Sequence, residues 1–361
     1  MLPNCKAMSY AVAEELDHIL HHTRDLWEEL RGQRIFITGG TGFFGCWLLD
    51  SFAWANDRLG LGASVLVLSR DPKAFARKMH HLASHPAIRF HTGDVRAFDF
   101  PPGQFSHVIH AATEASAKLN DVDPLLMMDT TIQGTRRVLD FAVACGAKKF
   151  LLASSGAVYG KQPSELNHVP ETYMGAPDTT DPRSAYGEGK RVGELLCAIY
   201  HKHYGIQTKI ARCFAFVGPH LPLTSHFAVG NFIRDALQGG PIRVCGDGSP
   251  FRSYLYATDL AIWLWTILVR GIPCRPYNVG SAADLTISRL AVLVTEALNC
   301  GAPVTIAETA DPSQPAQRYV PSTDRAKNEL GLKETLSLDA ALQRTAQWCR
   351  LVENGQDPQH H

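Results

Sequence analysis

Pro182-Arg-Ser-Ala-Tyr-Gly-Glu-Gly-Lys190 sets Tyr186 and Lys190 four residues apart, which places both on one face of a helix. A phenol is a poor base at its ordinary pKa of about 10. A neighbouring ammonium favours the phenolate, so the pair reads as a general base for a substrate hydroxyl. Tyr-x-x-x-Lys alone also fits an ordinary surface helix. What lifts it above that is Leu151-Leu-Ala-Ser-Ser-Gly-Ala-Val-Tyr-Gly160 upstream. There, Ser154 or Ser155 ends an apolar strand and can hydrogen-bond the same oxygen that Tyr186 deprotonates.

A second constellation lies nearer the start. Arg34-Ile-Phe-Ile-Thr-Gly-Gly-Thr-Gly-Phe-Phe-Gly45 reads as a strand, a glycine-rich turn and a helix opening at Phe43 and Phe44. Gly39, Gly42 and Gly45 are spaced three apart, unlike the G-x-G-x-x-G fingerprint, but the physics is shared. Glycine permits the tight turn, lets backbone approach a pyrophosphate, and packs helix on strand. This predicts a dinucleotide, NAD or NADP, whose positive nicotinamide ring would further favour a Tyr186 phenolate. At the end of the second strand, an acidic residue would select NAD by bonding the ribose. Ser69 and Arg70 stand there instead and suit a 2′-phosphate, so the reading leans to NADP. Asp71 would count against it if the strand ended one residue later. Asp94, followed by Val95, can bond the adenine amino group or simply cap a turn.

These residues need a scaffold, and the chain shows one. From Arg34, apolar runs at Arg34–Thr38, Ser64–Ser69, Ile88–Thr92, His107–His110, Lys149–Ser154 and Gln207–Cys213 alternate with helical stretches at Phe43–Trp54, Asp129–Cys145 and Ala185–Tyr204. The pattern predicts an α/β fold, a Rossmann-type doubly wound parallel sheet with a smaller C-terminal substrate-binding lobe. Residues 1–30 form a helical extension and 31–213 the cofactor domain with the catalytic residues. Residues 214–361 are mainly the lobe, with 255–275 returning to the sheet. Pro241–Val244, Tyr277–Val279 and the tail from Pro303 read as lobe elements. One amphipathic helix is expected over residues 10–30; its His18, His21 and His22 read as a solvated face, and no metal site is expected.

Composition narrows the classes. Lys plus Arg and Asp plus Glu are both 35, giving zero formal charge, so nothing favours nucleic acid or an anionic membrane as partner. The nine scattered cysteines, with no Cys-x-x-Cys, fit reduced thiols rather than a disulfide framework. No apolar run is long enough to cross a bilayer; Leu260 to Val269 reads as a buried helix. With no basic-then-apolar start, a cytoplasmic location is expected.

The glycine turn, His110-Ala-Ala112, the serine strand end, the Tyr-x-x-x-Lys helix and Arg212-Cys-Phe-Ala-Phe-Val-Gly-Pro219 follow in the order of the extended short-chain dehydrogenase/reductase family. The chain resembles it from about Arg34 to Leu332. Members include nucleotide-sugar epimerases, 4,6-dehydratases and decarboxylases. The resemblance implies that Ser155, Tyr186 and Lys190 are the catalytic trio, with Lys190 also on the nicotinamide ribose. It implies oxidation at sugar C4, with Tyr186 taking the hydroxyl proton and the cofactor the hydride. It assigns Ala111 and Ala112 to the cofactor, and Thr113, Glu114, Ser155 and Asn231 to the substrate. It also gives Arg252 the diphosphate, with Arg318 as a second such arginine, and implies a homodimer.

Three departures shape the function expected. Where family dehydratases carry an Asp-Glu pair, and decarboxylases a glutamate at the second position, this chain has Gly156 and Ala157. Either activity would need a carboxylate from elsewhere, such as Glu114, Glu165 or Glu171. Ala215 and Thr131 stand where asparagines are usual. Because C4 epimerisation needs no further acid or base, a nucleotide-diphosphate-sugar epimerase is the reading by subtraction. The alternatives are a dehydratase or decarboxylase with relocated residues, a 4-ketosugar reductase, and a non-catalytic cofactor-binding regulator. Retention of Ser155, Tyr186 and Lys190 argues against the last.

Overall fold

The computed structural model describes residues 5–113, 117–224, 227–311 and 313–353. Its centre is a seven-stranded parallel sheet: β1 Arg34–Thr38, β2 Ser64–Ser69, β3 Ile88–Thr92, β4 His107–His110, β5 Lys149–Ser155, β6 Gln207–Cys213 and β7 Pro276–Val279. The spatial order is 7-6-5-4-1-2-3. It reverses between β1 and β4, and that reversal point is where open α/β sheets bind ligands. The helices of ten residues or more are α1 Cys5–Thr23, α2 Phe43–Leu59, α3 Pro124–Ala144, α4 Ala185–Tyr204, α5 Ala228–Leu237, α6 Ala257–Arg270, α7 Ile287–Leu298 and α8 Leu338–Glu353.

Central strands reading Phe-Leu-Leu-Ala-Ser-Ser are buried on both faces, as a helix-covered parallel sheet requires. One face carries α2 and α6. Twelve residues of α6, Ala257 to Leu268, are buried, and Trp265 donates to Ser51 on α2 (2.9 Å). The other face carries α3 and α4 over a core containing Phe36, Phe98, Phe141, Phe150 and Cys197.

Two expectations are corrected. Tyr277–Val279 is not a lobe element: β7 pairs in parallel with β6 from Pro276↔Ile210 to Val279↔Cys213. Its largely buried strand, whose Asn278 side chain is satisfied by hydrogen bonds, follows α6 closely, which makes the sheet edge the nearest place to bury it. The helix expected over residues 10–30 stops at Thr23, and Trp27–Leu30 forms a separate 3-10 turn. Thr23 helps end the helix, bonding back to Ile19 (2.6 Å) while accepting from Trp27 (2.9 Å). His18 bonds Thr335 (2.8 Å) rather than facing only solvent.

The lobe has its own core of Val229, Phe232, Ile233, Leu290, Val294 and Leu342. Ile242–Val244 pairs with Val304–Ile306. A three-stranded ribbon joins Leu285–Thr286, Phe251–Arg252 and Arg318–Tyr319. That ribbon aims lobe residues at the end of β5. Among the described residues, no helix is long and apolar enough to cross a membrane.

Candidate active site

The glycine turn is close-packed backbone. Gly39 has φ +73°, and a Cβ there would lie 2.5 Å from the Ala111 carbonyl and the Ala112 nitrogen. A Cβ on Gly45 would lie 2.3 Å from Gly40 backbone. Gly42 caps α2 with no side-chain acceptor on its first N–H groups. These residues fit a pyrophosphate: a narrow cradle beside a positive helix end with donors to spare.

Around it, β2 ends at Ser69 as expected, Ser69 is buried and Arg70 is exposed. Asp71 serves as helix cap, accepting from Ala74 (2.9 Å) ahead of Pro72–Lys78. Asp94 grips the Arg96 guanidinium at 2.8 and 3.1 Å. That pairing holds its carboxyl below the usual range. Val95 packs into the second core, against Gly134.

Behind Ala111 and Ala112 runs a buried relay. Thr135 donates to the Thr131 carbonyl (2.6 Å), so its oxygen accepts from His110 Nε2 (3.1 Å). His110 Nδ1 then accepts from Thr38 (2.7 Å), whose oxygen accepts from Ala112 N (3.3 Å). Burial pushes the His110 pKa down to about 3, so the imidazole stays neutral and the relay keeps one polarity. Thr131, standing where an asparagine is usual, bonds Met127 and meets Gly189 on α4.

Alternation along β5 settles which serine faces the site. Ser154 donates to Glu194 (2.6 Å), which also holds Arg212 (2.6 Å). Ser155 points the other way. Its Oγ accepts from Ala157 N (3.1 Å) and lies 3.5 Å from the Tyr319 hydroxyl. It also lies near enough to Tyr186 to lower that phenol's pKa. Lys190, one turn along α4, donates to Thr113 (2.8 Å) and the Ala153 carbonyl (2.7 Å). Its ammonium is 5.8 Å from the centre of the Tyr186 ring.

The electrostatics differ from the simple expectation. Burial pushes Tyr186 up to about 12, against a smaller lowering by the neighbouring Ser155 hydroxyl. Burial pulls Lys190 down to about 8. In the cofactor-free chain, desolvation therefore dominates, and Tyr186 rests as a phenol.

The lobe contributes Arg252, half-buried, donating to the Phe251 carbonyl (2.8 Å) and lying 5.9 Å from the Tyr319 ring centre. Among the described residues no carboxylate lies within ion-pair distance of it, and burial holds its pKa down. Arg318, by contrast, is committed to Asp284 (2.7 Å) and covers the Phe251 ring. The lobe also holds a cavity of about 870 Å³ lined by Asn231, Phe232, Pro241, Val244, Gly246 and Asp247, among others.

Glu114 lies outside the described residues. Glu165 is exposed. Glu171 accepts from Asn278 N (2.9 Å) and faces Arg325 (3.8 Å), a structural post below β7. Tyr319 was missed by sequence reasoning, although a signal existed. It follows Arg318 on a strand, so it must face opposite to it.

Comparison with known proteins supplies the class. The family model described as "NAD dependent epimerase/dehydratase family" matches residues 35–280. The chain belongs to that family. It is 32% identical over 313 residues to UDP-glucuronic acid decarboxylase 1 of Arabidopsis thaliana, covering 86% of this chain and 68% of the relative. It is 30% identical over 318 residues to UDP-glucuronic acid decarboxylase 1 of Xenopus tropicalis, covering 88% and 72%. Among solved structures, a UDP-glucose 4-epimerase of Thermotoga maritima with UDP-glucose superposes with TM-score 0.75 at 22% identity, covering 89% of this chain and 99% of that one. A dTDP-glucose 4,6-dehydratase of Streptomyces venezuelae with NAD bound gives 0.75 at 24%, covering 90% and 99%. The fold is theirs, and the chain is an enzyme of the epimerase/dehydratase family.

Proposed function

We propose that the chain is a nucleotide-diphosphate-sugar epimerase acting by transient oxidation at sugar C4. The observation that carries this reading is the end of β5. Ser155, Tyr186 and Lys190 converge there, while Gly156 and Ala157 offer neither acid nor base. A Cβ on Gly156 would already lie 2.7 Å from the Phe214 ring and 2.8 Å from the Tyr319 hydroxyl. Glu171, tied to Asn278 and Arg325, makes no substitute.

NAD(P), held at the Gly39–Gly45 turn and by Lys190, would supply the hydride acceptor and donor for C4. Tyr186 takes the C4 hydroxyl proton and gives it back, while Ser155 holds the C4 oxygen. Lys190 supplies the cation that offsets the cost of a buried phenolate. Arg252, a half-buried cation with no anion of its own, suits the diphosphate, and the cavity at Asn231 suits the nucleoside. The sugar can then turn over inside the lobe before hydride returns to the other face.

NADP is the cofactor inferred. Exposed Arg70 directly follows β2, and Asp71 is occupied as a helix cap, leaving no carboxylate at that strand end committed to a ribose. A homodimer belongs to the same proposal: Leu195, Ile199 and Tyr204 on α4 and Leu125 on α3 are exposed apolar side chains on adjacent helices.

A decarboxylase is the second reading, favoured by the identity to UDP-glucuronic acid decarboxylases over most of the chain. A C4 ketone beside a carboxylate on C5 is a β-keto acid that loses carbon dioxide readily, but the enolate left behind must take a proton at C5, and neither Gly156 nor Ala157 supplies an acid for it. Product masses from a panel of nucleotide sugars, with NAD or NADP, separate the two. Unchanged mass with altered retention supports epimerisation, and loss of carbon dioxide or water overturns it.

A further inference from the structure

Tyr319 belongs to no role so far assigned, yet its hydroxyl stands at the reacting end of β5. Its ring packs at a tilt against Phe214, with centroids 4.7 Å apart. Its hydroxyl fills the space that any side chain at residue 156 would need. Among the described residues, its one hydrogen-bond partner is Ser155 Oγ, at 3.5 Å. That distance is long for a hydroxyl pair, as is common before a catalytic complex closes.

The direction of this bond follows from counting. A serine hydroxyl has one proton and two lone pairs. One lone pair of Ser155 is taken by Ala157 N–H (3.1 Å). If Ser155 donated to Tyr319, the phenol's own proton would face the Phe214 ring and Gly156, where nothing accepts it. The reverse assignment satisfies both groups. It also fills the second lone pair of Ser155, leaving its proton only toward Tyr186 and the substrate.

We propose that Tyr319 is a positioning residue that makes Ser155 an obligate donor to the oxygen shared by Tyr186 and the sugar C4. A Ser155 free to rotate would accept from the Tyr186 phenol part of the time and so favour the protonated base. A Ser155 fixed as donor favours the phenolate and holds the C4 oxygen. Burial keeps Tyr319 itself well above the usual phenol range, so it stays a donor across the working pH. Gly156 is then the residue that admits this third hydroxyl. The inference rests only on oxidation at C4, which an epimerase and a decarboxylase share.

The test is the pH profile of kcat/KM for Tyr319→Phe, on whichever nucleotide sugar is turned over and whatever product forms. The limb that rises with Tyr186 ionisation moves to higher pH by about one unit, and kcat near neutral pH falls about tenfold. Gly156→Ala reproduces the shift by displacing the hydroxyl. In a Ser155→Ala background Tyr319→Phe adds nothing, because the hydroxyl it orients is gone. An unmoved profile, or an undiminished effect on top of Ser155→Ala, overturns the proposal. If no sugar reacts, ultraviolet titration of the cofactor-loaded protein, read as the difference from Tyr186→Phe, reports the phenolate directly. Tyr319→Phe must raise that pKa, and an unchanged value overturns the proposal independently of any product.

Discussion

The two halves of the site are made differently. The cofactor side is backbone against backbone: Gly39 on Ala111, Gly45 on Gly40, all within short reach of β1 and β4. The proposed sugar side is side chain against side chain, with Ser155 from the sheet, Tyr186 from α4, and Arg252 and Tyr319 from the lobe ribbon. A close backbone approach tolerates no added atom, so that half works as a unit or not at all. Converging side chains can be exchanged singly, so chemistry and substrate choice can change there without loss of the fold.

The strongest way to break that contrast is Tyr186→Phe. Loss of a general base costs about 10²–10⁴ in rate, so kcat should fall by that much while melting temperature and cofactor affinity hold. A matching loss of cofactor binding would mean the halves are not separable.

Gly39→Ala attacks the other half. The added methyl meets Ala111 and Ala112 at a left-handed φ, which should cost roughly 1–3 kcal/mol. Calorimetry should show the lowered melting temperature and isothermal titration the lost cofactor binding. Unaltered cofactor affinity would refute the cradle.

Arg252→Met keeps the buried stem and removes the charge. KM for the nucleotide sugar should rise about tenfold or more, with kcat little changed, the signature of lost uniform binding. A fall in kcat with constant KM would place Arg252 in the chemistry instead.

The smallest effect sharpens the electrostatics. Lys190 is lowered to about 8 in the folded chain from 10.5. Between those values the unfolded chain binds the extra proton, so folded stability rises with pH across that window. Below it both states are protonated and the burial penalty is constant. Denaturant melts of cofactor-free protein should show wild type gaining on Lys190→Met from about pH 8 to 10.5. Parallel curves would show that Lys190 is not desolvated.

Legibility followed the same division. The first six strands, the glycine turn and α4 were readable because alternation, helical spacing and glycine needs are local. Lys149–Ser154 fell short by only Ser155. The seventh strand was misplaced because Pro276-Tyr-Asn-Val279, four residues long, carries no mark of the sheet it joins. Asp71 could not be placed from sequence, since one residue decides between ribose ligand and helix cap. Arg318 looked available because its partner, Asp284, is 34 residues away. Strand alternation after Arg318 sets which way Tyr319 faces but not what it meets, because its contact with Ser155 spans 164 residues and forms only through the lobe ribbon.

The central claim is that the site oxidises and re-reduces C4 without exchanging any carbon-bound proton with solvent. Turnover of a nucleotide-sugar substrate in deuterated water, with products read by mass spectrometry, tests it most directly. The account predicts a C4 epimer of unchanged mass and no carbon-bound deuterium. A product carrying solvent deuterium, with carbon dioxide or water lost, would contradict it.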